Sequence, residues 1–389
     1  MLKTFSLCFA LALAALPAAP VQAAPKPDKA GQSDQWILTA IDVAEAWKTT
    51  KGAGVTVALL EGRVDGAVPE LKGRVVSGPD LTGRIFGSDQ PYGAATALAS
   101  LIAGTGKKGG VQGVAPEAQV MSIAVSQPAV EGSFVDPQAE PDAPADSPLA
   151  RGIRYAANHG AAVIVIPSWG YGVERLDRDA VAYALARGSV VIAGVGNDGG
   201  TPYSQESGTS FWQFPAGYPG VIGVAASDKQ GAHAPFSSDN LSVLVAAPGV
   251  DLPVVQAGGK RAKGSGSEGS AALVAGVAAL VKAKYPELKP EFVARALAET
   301  ARPHPPAGYD DKVGFGVVDA SAALTRAGQL GGYQRAIVGD DDLHFGHGML
   351  SKGPEPPGPD PIRLWVYGAG VLIGIAAFSG AVVILAKRR

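Results

Sequence analysis

The chain has 389 residues, with 33 Lys and Arg against 35 Asp and Glu and a formal net charge of −2. That balance excludes the basic surface that binding to a phosphate backbone needs, so no nucleic-acid partner is expected. One cysteine in the whole chain excludes an internal disulfide and a thiolate metal cage.

Residues 1–23 read as a secretory signal peptide. Lys3 precedes an apolar run from Phe5 to Leu16, and Val21-Gln22-Ala23 forms a small-x-small cleavage site. Cutting there makes Ala24 the first mature residue and removes Cys8. Residues 24–34 are a short polar extension. From 35 to 330 two kinds of segment alternate. The strand-like runs are VTVALL (55–60), QVMSIAV (119–125), AAVIVIP (161–167), SVVIAGV (189–195), GVIGVAAS (220–227) and LSVLVAAPG (241–249). The helix-like runs are 94–104, 147–160, 178–188, 270–286 and 289–301. Apolar strands separated by amphipathic helices predict an α/β fold, a doubly wound parallel sheet covered on both faces. Ligands of such sheets sit beyond the strand C-termini, at a switch point in strand order.

Residues 130–147 read as an acidic surface loop. Residues 331–363 read as a stalk, acidic at first (GDDDLHFGHG) and then proline-rich and stiff (KGPEPPGPDP). Residues 364–386 carry no charge. As a helix they reach about 34 Å, enough to span a bilayer core. Trp365 and Tyr367 mark one interface, and Lys387-Arg388-Arg389 form a basic tail that favours the cytoplasm. The expected topology is a single-pass cell-membrane protein with its N-terminal domain outside. Gly370 and Gly374 form a GxxxG pair, which in so Gly- and Ala-rich a span is expected by chance.

Several segments, in order, resemble the subtilisin-like serine proteases, peptidase family S8. They are VTVALLEGRVDG (55–66), AATALAS (94–100), VIAGVGNDGG (191–200), GSGSEGSAALVAGVAAL (264–280) and VGFGVVDASAAL (313–324). The resemblance covers about 35–330 and implies the three-layer subtilisin-like fold. A signal peptide, a subtilase domain, a proline-rich stalk and one C-terminal membrane helix together resemble the mycosin branch, which is associated with type VII secretion. That architecture implies membrane secretion-complex proteins as partners. The lack of cysteine departs from the disulfides many mycosins carry.

The motifs depart from the family at its reactive positions. Glu61 stands where the resemblance implies the catalytic Asp, Ala94 where it implies His, and Glu268 where it implies the Ser nucleophile. Asp65 matches a second, structural Asp. Asn197 matches the oxyanion Asn, and an Asn before Asp198-Gly199-Gly200 is also a good turn residue. Ala94 offers no base and Glu268 no hydroxyl, and a serine nucleophile needs both. In this enzyme family loss of Ser or His alone leaves only about 10³–10⁴-fold catalysis over water. The expected function is therefore a catalytically silent subtilase, a pseudoprotease acting as scaffold or interaction subunit.

Other readings stay open on the sequence. An active protease with a non-standard site would use Ser267 or Ser270, which flank the nucleophile position, but no base is evident for either: none of His159, His233, His304, His344 and His347 sits in a segment matching the histidine helix. A carboxylate pair of Glu61 and Glu268 could do acid/base work or hold a cation. Against this, a carboxylate near the start of a helix is favourable without any function. No cofactor or metal site is otherwise expected. A peptide-binding module would use the old substrate cleft. IPSWGYG (166–172) resembles the family's substrate-pairing strand edge, which makes Ser168, Trp169 and Gly170 cleft candidates.

Overall fold

The computed structural model describes residues 36–82, 93–125, 147–167, 170–336 and 361–387. Two units separate near Gly332, and each is described by itself.

The first unit is built on seven parallel strands: β1 (Thr56–Glu61), β2 (Val75–Asp80), β3 (Gln119–Ala124), β4 (Val163–Ile166), β5 (Val190–Gly194), β6 (Ile222–Ser227) and β7 (Val243–Pro248). Their order is β2-β3-β1-β4-β5-β6-β7. The chain leaves β1 toward one edge and returns to its other side at β4, so the switch point lies at the C-terminal end of β1, beside Glu61. β4, β5 and β6 are buried along their whole length. Val, Ile and Ala dominate there, with only Gly194, Gly223 and Ser227 among them, which fits a sheet covered on both faces. β2 is the exposed edge strand, and its VVSGPD lacks the apolar run that marks the others.

The helices of this unit are α1 (Trp36–Ala40), α2 (Val43–Ala46), α3 (Gly93–Ala103), α4 (Pro148–Asn158), α5 (Arg175–Ala186), α6 (Pro202–Ser207), α7 (Ser267–Lys284), α8 (Pro290–Thr300) and α9 (Ala320–Ala336). α4 and α5 cover one face of the sheet with an apolar cluster around Leu60, Ile123, Ile153 and Ile164. α3, α7 and α8 cover the other, around Leu59, Leu101, Ile192, Val274 and Leu297. α7 is apolar on every side and lies in the middle of that layer, against β4 to β7 and α3. Its buried Lys282 donates to Pro286 O at 2.6 Å and Leu288 O at 3.0 Å, so the ammonium closes the helix end. A hairpin, β8 (Leu252–Val255) and β9 (Arg261–Gly264), stands off the sheet and packs on α3.

Two boundaries differ from the sequence reading. α9 continues to Ala336, past the expected start of the stalk at 331, although Gly331 and Gly332 disfavour a helix there. In the second unit one helix, α10 (Pro361–Lys387), takes in the expected span and the three residues before it. Among the described residues no helix is long and apolar enough to cross a membrane. The loop expected at 130–147 lies outside the described residues except for Ser147. There the Ser147 hydroxyl accepts from Ala150 N at 2.9 Å and caps α4.

One group in the β6–β7 connection ties stability to pH. His233 is largely buried, and its Nε2 has no partner among the described residues. Burial pushes its pKa below 6.5; Lys312 adds to this, while Asp239, Asp310 and a hydrogen bond from the ring to the Ser237 backbone carbonyl oppose it. The unfolded chain then takes up a proton near pH 6.5 before the folded one does, so stability rises with pH through that window and declines on acidification. Replacing His233→Gln is expected to flatten the fall in melting temperature between the lowered folded value and pH 6.5. Thermal unfolding scanned over pH reads this directly.

Candidate active site

The site forms where β5 ends and α7 begins. After Gly194 the chain reaches Asn197, and both halves of that amide are used. Its Oδ1 accepts from the Ser267 backbone N–H at 2.9 Å, filling one of the open donors at the helix start. Its Nδ2 donates to Glu268 Oε2 at 2.9 Å. The Gly196 N–H donates to Ser267 Oγ at 3.0 Å, which stitches the strand end to the helix a second time. Glu268 lies in the first turn of α7, where the helix dipole favours a carboxylate. Position, dipole and the Asn197 donor all favour the same negative charge.

Adding a second negative charge at this pair gives a measurable outcome. Asn197→Asp keeps an acceptor for Ser267 N–H but sets a second carboxylate against Glu268. Two carboxylates sharing a site force one pKa up. The folded state then holds a proton the unfolded state has lost, so stability falls as pH rises above the ordinary carboxylate range. A loss of about 1–3 kcal/mol at pH 7 is expected. Most of it should return near pH 4, or when Glu268→Ala is added, as read by urea unfolding.

Ala94 sits exposed in the first turn of α3 and lines the same cleft as Glu268. That cleft is about 180 Å³, walled by Leu98 and Leu101 of α3 and by Leu252 and Val254 of the hairpin. Nothing basic stands at Ala94. Gln256 and Lys263 of the hairpin reach the same space. Sequence reading missed both, although Gly258-Gly259 between two short β-type runs was the available hairpin signal.

Glu61 ends β1 on the same edge of the sheet as Asn197, half-buried, with its carbonyl accepting from Val125 N at 2.8 Å. Asp65 is a clamp. Its N–H donates to Thr96 Oγ1 at 3.0 Å, and its carboxylate accepts from Ala67 N at 3.0 Å and from Gly258 N at 2.8 Å. One side chain thus joins the turn after β1 to the hairpin, while its backbone is held by α3.

Ser267 and Ser270 are both fully buried. Ser267 is held by Gly196, and Ser270 Oγ donates to Pro248 O at 3.0 Å. Neither hydroxyl faces the cleft, which removes the geometric basis for a shifted nucleophile. His159 stacks on Tyr155 at the end of α4, the opposite edge of the sheet. His304 bonds Phe315 O through Nδ1 at 3.0 Å. Neither they nor His233 lines the cleft. His344, His347, Ser168 and Trp169 lie outside the described residues. Gly170 exchanges both backbone hydrogen bonds with Phe214, at 3.0 and 2.8 Å. A peptide adding at Gly170 would have to displace Phe214, which works against strand addition at that residue. Among the described residues no cluster of His, Cys, Asp or Glu could hold a metal ion.

Residues 52–316 match the model of the subtilase family, peptidase S8. The chain belongs to the subtilase family. This subtilase is 35% identical over 330 residues to Mycosin-1 of Mycobacterium tuberculosis, covering 75% of its own length and 73% of that protein. It is 32% identical over 323 residues to fervidolysin of Fervidobacterium pennivorans, covering 75% of its own length and spanning 44% of the relative's. Among solved structures it is similar to the serine protease MycP1, described as an essential component of the type VII (ESX-1) secretion system. That match has a TM-score of 0.65 and 31% identity, over 77% of this chain and 90% of MycP1. The parallel sheet, the buried α7 and an Asn bridging their junction are thus parts of a subtilase domain.

Proposed function

We propose that this subtilase does not hydrolyse peptides and serves as a membrane-anchored interaction subunit outside the cytoplasm, in a type VII secretion-type apparatus. One observation carries the catalytic half of the reading. Glu268 heads α7 with its carboxylate on the Asn197 donor, and across the cleft Ala94 supplies no base. The amide that would receive a developing oxyanion is already neutralised by a fixed one, so the preorganised field has no charge left to stabilise. The likeness to Mycosin-1 and MycP1 supports the secretion context. The anchor rests on the 23 uncharged residues 364–386 and on the exposure of α10, where Trp365, Leu372 and Phe378 are 69–78% exposed. Apolar side chains in that number need a lipid or protein covering.

The test uses the full chain purified in mild detergent from its native membrane. No fluorophosphonate labelling is expected, and membrane proteins of a secretion apparatus should co-elute. Labelling that disappears on Ser267→Ala or Ser270→Ala would overturn the silent reading. An eluate free of any secretion-apparatus protein would overturn the proposed context.

A further inference from the structure

We propose that the edge at which the parallel strands begin, opposite Glu61, binds the phosphate headgroups of anionic phospholipid in the anchoring membrane. The adjacent strands β2, β3, β1, β4 and β5 are entered from segments 72–74, 116–118, 51–55, 159–162 and 187–189. Those segments carry Lys72, Arg74, Lys51 and Arg187 and a single acid, Glu117. They lie side by side. The Glu117 N–H donates to Lys51 O at 3.0 Å, Arg74 Nη1 donates to Glu117 O at 3.1 Å, and the Val190 N–H donates to Ala162 O at 2.9 Å. Lys51, Lys72 and Arg187 are exposed and Arg74 is half-buried. None of these cations makes an ion pair among the described residues. In a chain of net charge −2 this is a local excess of one sign.

Two helices supply the centre of the patch. α4 and α5 run antiparallel to the strands they connect, so both end on this edge. The guanidiniums of Arg154 and Arg187 lie 5.6 and 5.7 Å from the centre of the Tyr183 ring. The Tyr183 hydroxyl donates to Asn158 Oδ1 at 2.6 Å, which holds the ring between the helices. Two guanidiniums gathered on one ring suit an oxygen-rich anion, because each fork can give paired N–H bonds to a phosphate. A helix C-terminus favours a nearby cation without any function, and that alone would account for these two. It does not account for Lys51, Lys72 and Arg74, which lie outside the last turn of any helix.

The way the chain leaves this unit names the occupant. α7 starts at the strand ends beside Asn197 and finishes toward the cationic edge, at its C-cap Tyr285. α9 runs past that point so closely that a Cβ on Gly328 would stand 2.5 Å from the Tyr285 hydroxyl. Thr325 of α9 and Tyr285 also share a hollow with Thr49, which closely precedes Lys51. The first unit ends at Gly332, so the tether toward residues 364–386 departs from the same edge. A membrane on that tether meets this edge at high effective concentration, and modest attraction per headgroup suffices. An acidic protein surface would match the charge equally, but nothing in the exit of the chain directs one here. The inference rests on the membrane anchor proposed above and is independent of whether peptides are hydrolysed.

The test is hydrogen exchange on the full chain in lipid nanodiscs, one set of phosphatidylcholine alone and one of phosphatidylcholine and phosphatidylglycerol in equal parts. Exchange in segments 51–54, 72–74, 159–161 and 187–189 is expected to slow by about tenfold in the anionic discs. About 1 M NaCl, where the screening length falls to about 3 Å, should remove that protection. So should the combined variant Lys51→Gln, Lys72→Gln, Arg187→Gln, while Lys260→Gln in the β8–β9 turn should leave it. An unchanged melting temperature shows that the combined variant is folded. Equal exchange in the two kinds of disc, or protection that survives the combined variant, would overturn the proposal; an acidic protein partner would give the first of these. If the chain stays out of the discs, the anchor reading fails by itself. Flotation with phosphatidylglycerol vesicles then decides the edge: salt-sensitive binding supports it, and no binding overturns it.

Discussion

The triple variant Glu61→Asp, Ala94→His, Glu268→Ser is expected to hydrolyse a chromogenic peptide, while the unmodified chain and each single variant stay at background. The reasoning is geometric. Asn197 already aims its amide N–H at the side chain of residue 268, at 2.9 Å. Removing the carboxylate frees that donor, and Glu268→Ser places a hydroxyl at the start of α7 beside it. That hydroxyl remains inert without a base, which Ala94→His supplies in the open cleft the two residues share. Glu61→Asp shortens the acid at the switch point toward the length the family uses to orient the imidazole. Residues that act as a unit are strongly non-additive, so two of the three should recover little. A gain of about 10³-fold over the unmodified chain is a modest expectation, given what a complete triad contributes. An inactive but stably folded triple variant would mean that the cleft itself has been reshaped. Activity in Glu268→Ser alone would mean that a base exists which Ala94 does not reveal.

Much of this was readable before any coordinates. β3, β4, β5, β6 and β7 lie within the apolar runs that predicted them and β1 runs one residue past its own, to Glu61, because strands buried on both faces leave Val-, Ile-, Leu- and Ala-rich runs in the sequence. α7 was legible for the same reason. β2 was not, since an exposed edge strand with Gly78 and Pro79 carries neither an apolar run nor clean alternation. The residues of the site could be named from motif order, but their state could not. No sequence pattern shows that Ser267 and Ser270 are fully buried, that Asn197 spends both ends of its amide on α7, or that Gly170 is already paired with Phe214. Those are consequences of long-range packing between β5, α7 and the segment before Phe214. A cleft of about 440 Å³ with exposed aromatic rings, beyond the end of β5, escaped notice for a related reason. Tyr171, Asp198, Tyr203 and Trp212 are scattered in sequence and converge only through the fold.

The site and the scaffold respond to change on different scales, because the site is half-exposed and α7 is not. Gly276→Val is expected to be the most destabilising of the single changes considered. Gly276 lies in the middle of α7, and a Cβ there would stand 2.5 Å from Val114 Cβ, closer than two such atoms ever approach. Val114 cannot yield. It is fully buried, its N–H donates to Leu101 O at 3.0 Å, and its carbonyl accepts from Trp47 Nε1 at 2.8 Å. Relief must come from moving α7 itself, which packs against five strands of the sheet, β1 and β4 to β7. Overpacking a closed core costs about 1–3 kcal/mol, and the rigidity of both sides puts this site at or above the upper end. Gly276→Ala isolates the cause. Alanine gains about 1 kcal/mol of helix propensity over glycine, so if it also destabilises, the contact with Val114 outweighs that gain. The urea midpoint of each variant gives the answer, with an unchanged slope showing that the native state rather than the unfolded chain was altered. A Gly276→Val chain as stable as the unmodified one would mean that α7 and the segment carrying Val114 can separate. The Asn197 bridge at the head of the same helix would then be a movable contact rather than a fixed one.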